Sequence, residues 1–254
     1  MIADVVFSAI VTTQATAGAA GSAEPTPALR PKKPSLWRSN LGLKIIMAAT
    51  GLLMLLFLIV HMLGNLKVFF GLNDFNHYAA WLRTILSPLL PHSGYLWIQR
   101  VVLVLVVVAH FASAYVLARR AKAARSVSYI APNKQRASYA TFTMRWGGVV
   151  LLLFIIYHIL DLSTLTLNPN GVEGDVYQNL VADFSRWWIT LIYIVAMLAL
   201  GIHIDHGFWS AALTLGANKP RTLVALKITA RTLAVVLTVG FIIVPVLVLV
   251  GVVK

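Results

Sequence analysis

Five long apolar runs divide this chain, at roughly Lys44–Phe70, Val101–Leu117, Gly147–Leu165, Trp187–Leu213 and Thr232–Val253. A helix rising about 1.5 Å per residue needs about 20 apolar residues to cross a hydrocarbon layer of about 30 Å. Each run therefore predicts one transmembrane helix. The connection 71–99 carries Pro88, Pro91 and several aromatic residues, and predicts a short amphipathic piece lying along the membrane interface. Asn168-Pro169-Asn170-Gly171 marks a turn just beyond the third run. No internal repeat is evident.

Composition sharpens this picture. Of 254 residues, 59% are hydrophobic and only 11% charged, more apolar surface than a soluble domain of this size hides. The expected fold class is all-α, an integral membrane bundle of five helices over residues 35–254. Residues 1–34, rich in Ala, Thr and Pro, read as a flexible extension. The apolar stretch Val5–Val11 is short and follows no basic residue, so it does not read as a secretory signal.

Charge sets the expected topology. Arg30, Lys32, Lys33 and Arg38 precede the first run. Arg119, Arg120, Lys122, Arg125, Lys134, Arg136 and Arg145 fill the second connection, and Lys219, Arg221, Lys227 and Arg231 fill the fourth. These segments share one side, and the excess of cations there predicts a cytoplasmic N-terminus and an outside C-terminus. The other side has few cations, and Glu173, Asp175 and Asp183 make its third connection acidic. The net charge of +13 flanks membrane spans instead of gathering on a folded basic domain, so no nucleic-acid partner is expected. Cysteine is absent, which excludes disulfides, thioether-linked haem and any iron–sulfur cluster ligated by this chain alone.

Candidate chemistry comes from histidine. His61, His110, His158 and His203 each occupy a different apolar run. A lone His in an apolar helix often bonds a carbonyl, but ionisable groups at membrane depth are costly and mark function. Counting helical rise from the basic side, His61 lies roughly 25 Å deep and His158 roughly 17–20 Å, while His110 and His203 each lie roughly 13 Å deep. Two tiers of two are what a pair of stacked six-coordinate haems requires, since a porphyrin supplies four equatorial nitrogens and needs one imidazole from each side. Depth pairs His110 with His203, and His61 with His158. His77 and His92 fall in a connection and read as solvated. His206 follows His203 by one helical turn and, with Asp205 and Trp209, forms a cluster suited to proton transfer, to a quinone carbonyl or to anchoring the helix end.

At these residues the chain resembles the five-helix cytochrome b membrane anchor of succinate dehydrogenase and fumarate reductase, the single-chain type with two b haems. The resemblance rests on Leu58-Ile59-Val60-His61-Met62-Leu63-Gly64-Asn65, Ala109-His110-Phe111, Tyr157-His158-Ile159-Leu160 and Gly201-Ile202-His203-Ile204-Asp205-His206-Gly207-Phe208-Trp209. It covers Ser35 to the C-terminus. What it implies is iron ligation by His61, His110, His158 and His203, with first paired to third and second to fourth. His203 is preferred over His206 because the family pattern places its histidine four residues before a Gly, here Gly207.

The resemblance further implies a multi-pass protein of the cell inner membrane that passes electrons from a partner iron–sulfur subunit to quinone, with a flavoprotein subunit oxidising succinate. Both partners would dock on the cytoplasmic side, in a complex that could assemble further. Succinate chemistry would lie outside this chain. Quinone reduction needs an apolar cavity, donors to both carbonyls and a route to water. Ser35, Trp37, Arg38, Ser39 and Lys44 at the start of the first run, and Asp205, His206 and Trp209 at the end of the fourth, are the candidates, with Trp37, Arg38 and Lys44 also reading as interfacial anchors. A second quinone site near His61 and Asp161 is a further option. Three alternatives stand beside this reading. A His pair could hold one iron of a [2Fe–2S] cluster completed by partner cysteines. The chain could be the cytochrome b anchor of another quinone-linked dehydrogenase. It could instead be a proton or metal transporter lined by histidines.

Overall fold

The computed structural model describes residues 35, 38–124, 136–217 and 219–254, residues 136–141 for backbone only. The 1–34 extension, Trp37, Arg125 and Lys134 lie outside the described residues. Among the described residues seven α-helices follow in order: α1 Asn40–Leu66, α2 Leu72–Thr84, α3 Gly94–Ala123, α4 Arg136–His158, α5 Val176–Phe184, α6 Trp187–Thr214 and α7 Pro220–Leu249. Five stretches are long and apolar enough to cross a membrane: Asn40–Phe70, Gly94–Ala123, Phe142–Ser163, Trp187–Thr214 and Pro220–Leu249. The chain is thus an all-α, multi-pass membrane bundle. α2 is the short helix expected in the first long connection, and Gly171 N donates to Asn168 O across the expected turn at 3.1 Å.

Two boundaries differ from the hydropathy reading. α3 starts at Gly94, not Val101, and α7 starts at Pro220, not Thr232. Proline at the first helical position costs no hydrogen bond, and the helix then runs through the amphipathic stretch before the apolar run begins. Arg221, Lys227 and Arg231 consequently sit on α7 instead of in a connection.

α6 is the centre of the bundle. It packs against α1, α4 and α7, and 44% of its most apolar stretch is buried against 6–28% for the other four spans. A helix that is apolar all round belongs in such a position. Without a hydrophobic drive between helices in lipid, close approach of small residues holds the packing. Gly201 of α6 faces the Thr238 hydroxyl and Gly240 of α7 faces Met62 so closely that neither position has room for a Cβ. Pro245 sits inside α7 and is buried.

The two ends of the bundle are tied differently. At one end the Ser39 hydroxyl caps α1 by accepting from Gly42 N (3.0 Å), and Arg120 Nη1 at the end of α3 donates to Arg38 O (2.9 Å) and Asn40 Oδ1 (2.8 Å). At the other, Asp175 caps α5 and accepts from Asn76 Nδ2 of α2 (2.9 Å), while Asn76 Oδ1 accepts from Tyr177 N (3.0 Å). Tyr177 donates to Lys254 O (3.0 Å), which brings the C-terminus to this same end. We call the first the basic end and the second the α5 end.

Candidate functional site

The four intramembrane histidines meet as two pairs across the bundle. His61 of α1 and His158 of α4 have ring centroids 5.9 Å apart, with planes at 75°. His110 of α3 and His203 of α6 are 6.3 Å apart, at 60°. The first pair lies toward the α5 end and the second toward the basic end. His206 does not join either pair. Its Nδ1 bonds its own helix at Ile202 O (3.2 Å), and its side chain lines a separate cavity.

Hydrogen bonds decide which ring nitrogen each pair has free. His110 Nδ1 lies 3.0 Å from Met47 O and 3.2 Å from Thr50 Oγ1, and the Thr50 hydroxyl donates to Ile46 O (2.7 Å). Both partners of Nδ1 therefore accept, so Nδ1 carries the proton and Nε2 keeps its lone pair. The same logic holds at the other level. The Tyr193 hydroxyl donates to Asp161 Oδ2 (3.1 Å), so its oxygen accepts from His158 Nδ1 (3.1 Å) and leaves His158 Nε2 bare. This is the arrangement by which carboxylates and carbonyls orient ligating imidazoles. His61 stacks on Phe57 (5.2 Å, 15°), and His203 Nδ1 is buried without a partner.

A small residue makes room at the His110–His203 level. A Cβ on Gly51 of α1 would come within 3.3 Å of His110 Cε1, whereas one on Gly148 of α4 would make only an ordinary contact, 3.8 Å from His203 Cε1. Glycine at 51 thus lets the His110 ring lie against the α1 backbone.

The His61–His158 pair leans on a buried acidic group. After His158 the α4 ladder widens into a π-helical turn, Ile159–Ser163, closed by Thr164 N to Ile159 O (2.9 Å). The turn carries Asp161 into the bundle, where it is fully buried beside Asp183 of α5, which is also fully buried. Arg186 pairs with Asp183. The Asp183 carboxyl, outside the spans, is pushed up to about 7, first by burial and then by the hydrogen bond and charge of Asp161, with Arg186 pulling the other way. Asp161 Oδ1 and Asp183 Oδ2 have no other partner.

At the basic end, Asp205, His206 and Trp209 of α6 meet Lys227, Ile228, Arg231 and Thr232 of α7 around a cavity of about 510 Å³. Arg231 Nη2 lies 3.5 Å from Asp205 Oδ2, and Lys227 Nζ sits 5.5 Å from the centroid of the Trp209 indole. Ser35 and Arg38 are exposed and Ser39 is engaged as a cap; none of them, nor Lys44, lines this cavity.

Sequence reading identified the histidines but not what holds them. Thr50, the Met47 carbonyl and Tyr193 belong to the site, and so do Asp183 and Arg186 at one remove. A hydroxyl inside an apolar run, as at Thr50 and Tyr193, was the one available signal. Lys227 and Arg231 read as topology charges because their helix begins earlier than its apolar run.

Among the described residues no group of three or more His, Cys, Asp or Glu converges on one point. Each level offers two imidazoles, a donor set that fits a group bringing most of its own donors. Porphyrin iron is such a group. An axial pair on one metal sets its ring centroids about 6 Å apart, from two metal–nitrogen bonds of about 2.0–2.1 Å and a ring radius of roughly 1 Å on each side. The observed 5.9 and 6.3 Å match that separation. Comparison with models of protein families, with curated proteins and with solved structures gives no match for this chain.

Proposed function

We propose that this chain is the cytochrome b-type membrane anchor of a succinate:quinone oxidoreductase, in the inner membrane with its basic end cytoplasmic. The observation that carries the reading is the pair of imidazole pairs, one nearer each end of the bundle, with ring centroids 5.9 and 6.3 Å apart, a spacing that would suit two imidazoles on one metal. His110 with His203 would hold one haem b and His61 with His158 a second. Bound there, haem supplies a one-electron carrier at each level. The protein's part is orientation: Met47 O and Thr50 hold the His110 tautomer, and the Asp161–Tyr193 relay holds that of His158.

At the basic end the α6–α7 cavity has the size of a small-molecule site. Reduction of a quinone to quinol takes two electrons and two protons. His206 and the Asp205–Arg231 pair supply donors to carbonyl oxygens and a route for protons from water, and Trp209 supplies a flat apolar wall. A soluble iron–sulfur subunit and its flavoprotein would dock on the basic end, whose cations suit acidic partners.

The test is a reduced-minus-oxidised absorption spectrum with haem and iron quantitation on the purified complex. Two haems per chain with bis-histidine bands are expected. Replacing His110 or His203 by Ala should remove one haem and abolish quinone reduction while succinate oxidation by a soluble acceptor persists. Iron without haem would move the assignment to a cluster shared with partner cysteines. A complex with neither would end it.

A further inference from the structure

A second cavity, of about 500 Å³, lies at the α5 end and serves none of the chemistry above. It is lined by Lys67 and Phe70, from the 3₁₀ turn that ends the first span, and by Asp74, His77, Tyr78 and Trp81 of α2. The four α2 residues follow the spacing i, i+3, i+4, i+7, which places them on one helix face. The rest of α2 is used for packing. Phe75 is buried in the core, and Asn76 ties the helix to the start of α5. The remaining stripe is thus left over from folding.

Its chemistry is amphipathic and two-signed. Lys67 Nζ lies 5.2 Å from the Tyr78 ring centroid and 5.9 Å from that of Phe70, and makes no ion pair among the described residues. Asp74 makes none either. Tyr78 stacks on Trp81 at 5.9 Å. It lies flush against α1 at Gly64, where a Cβ would be 3.0 Å from its hydroxyl oxygen. Phe70 and Trp81 stay largely exposed, at 72% and 52%. One cation and one carboxylate, neither in an ion pair among the described residues, therefore share a cavity with aromatic walls at the end of a membrane span, where headgroups meet hydrocarbon.

We propose that this cavity binds the headgroup of a phospholipid carrying a primary amine, with Lys67 on the phosphate and Asp74 on the ammonium. Each lone charge then gains an opposite partner. Asp74 disfavours purely anionic lipids by like-charge repulsion, and it needs an N–H donor that a quaternary amine lacks. The Phe70 and Tyr78 faces that could cage a quaternary amine are occupied by Lys67. Phe70 and Trp81 flank the glycerol and the first acyl carbons. The proposal is independent of any redox role.

The full chain, purified from nanodiscs holding equal parts phosphatidylethanolamine, phosphatidylcholine and phosphatidylglycerol, is stripped with mild detergent, and retained lipid is counted by native mass spectrometry. Wild type should retain phosphatidylethanolamine over each of the others by roughly tenfold, the ratio expected of one charge-assisted hydrogen bond. Lys67→Gln should lower retention of all three by a similar factor, and Lys67→Arg should keep it. Asp74→Asn should hold total retention and erase the preference for the amine. Equal retention of the three lipids by wild type, or unchanged retention by Lys67→Gln with native circular dichroism, would overturn the assignment. So would release of the bound lipid by millimolar inorganic phosphate or phosphoethanolamine, which would make this a site for soluble phosphates, or by a quinone added without lipid.

Discussion

Tyr193→Phe tests the His61–His158 level with the smallest available change. The ring stays, so its edge-to-face contacts with Phe154 (5.0 Å) and Phe184 (4.8 Å) are kept, and only the hydroxyl is lost. That oxygen donates to Asp161 Oδ2 and accepts from His158 Nδ1, at 3.1 Å each. Each hydrogen bond contributes about 0.5–1.5 kcal/mol net, so the variant should lose about 1–3 kcal/mol of stability. With His158 released from its tautomer and orientation, the haem affinity proposed for the His61–His158 level should fall by about 10–100-fold. The assay is haem titration of the purified protein followed at the α band, with equilibrium unfolding in mixed micelles. Tyr177→Phe serves as control: it removes one hydrogen bond, to Lys254 O, and should cost about 1 kcal/mol with no change in the haem titration. Unchanged stability and affinity in Tyr193→Phe would refute the relay.

The other predictions probe separate parts of the molecule. Gly51→Val places branched carbon where a Cβ alone meets His110 Cε1 at 3.3 Å; on the proposed haem reading it should remove the spectral signal of the His110–His203 level while sparing that of the His61–His158 level. Gly201→Val drives a side chain into the Thr238 hydroxyl at the α6–α7 crossing and should destabilise by about 1–3 kcal/mol in unfolding titrations, with partial rescue by Thr238→Ala. Because the folded Asp183 carboxyl holds its proton up to about pH 7, its contribution to stability is complete below the unfolded value near 4 and is lost as pH rises through 7. Asp183→Asn should flatten the stability profile over that window, and a profile with the same slope as wild type would place the titration elsewhere.

The class of this protein was legible in one dimension because a bilayer imposes a one-dimensional rule. Every backbone polar group at membrane depth must be satisfied within its own helix, so long apolar runs become helices whatever their neighbours are. Depth follows from the same rule, since rise per residue is constant, and it put His110 level with His203 before any packing was known. The depths of His61 and His158 disagreed by several ångströms when counted from the hydropathy boundaries, yet their rings meet, because α1 starts at Asn40 and α4 at Arg136.

What only the tertiary structure decided is lateral: which face of each helix looks at which neighbour. Local sequence carries no record of that, because helix rotation is set by shape complementarity at crossings such as Gly201 on Thr238 and Gly240 on Met62. Thr50 beneath His110, Tyr193 between His158 and Asp161, and Asp161 turned inward toward Asp183 by a π-helical turn all depend on it. So does the assignment of His203 and His206 to different surroundings, one facing His110 and the other lining a cavity with Lys227 and Arg231. Hydropathy counts residues along one axis; a site is made by side chains converging across it.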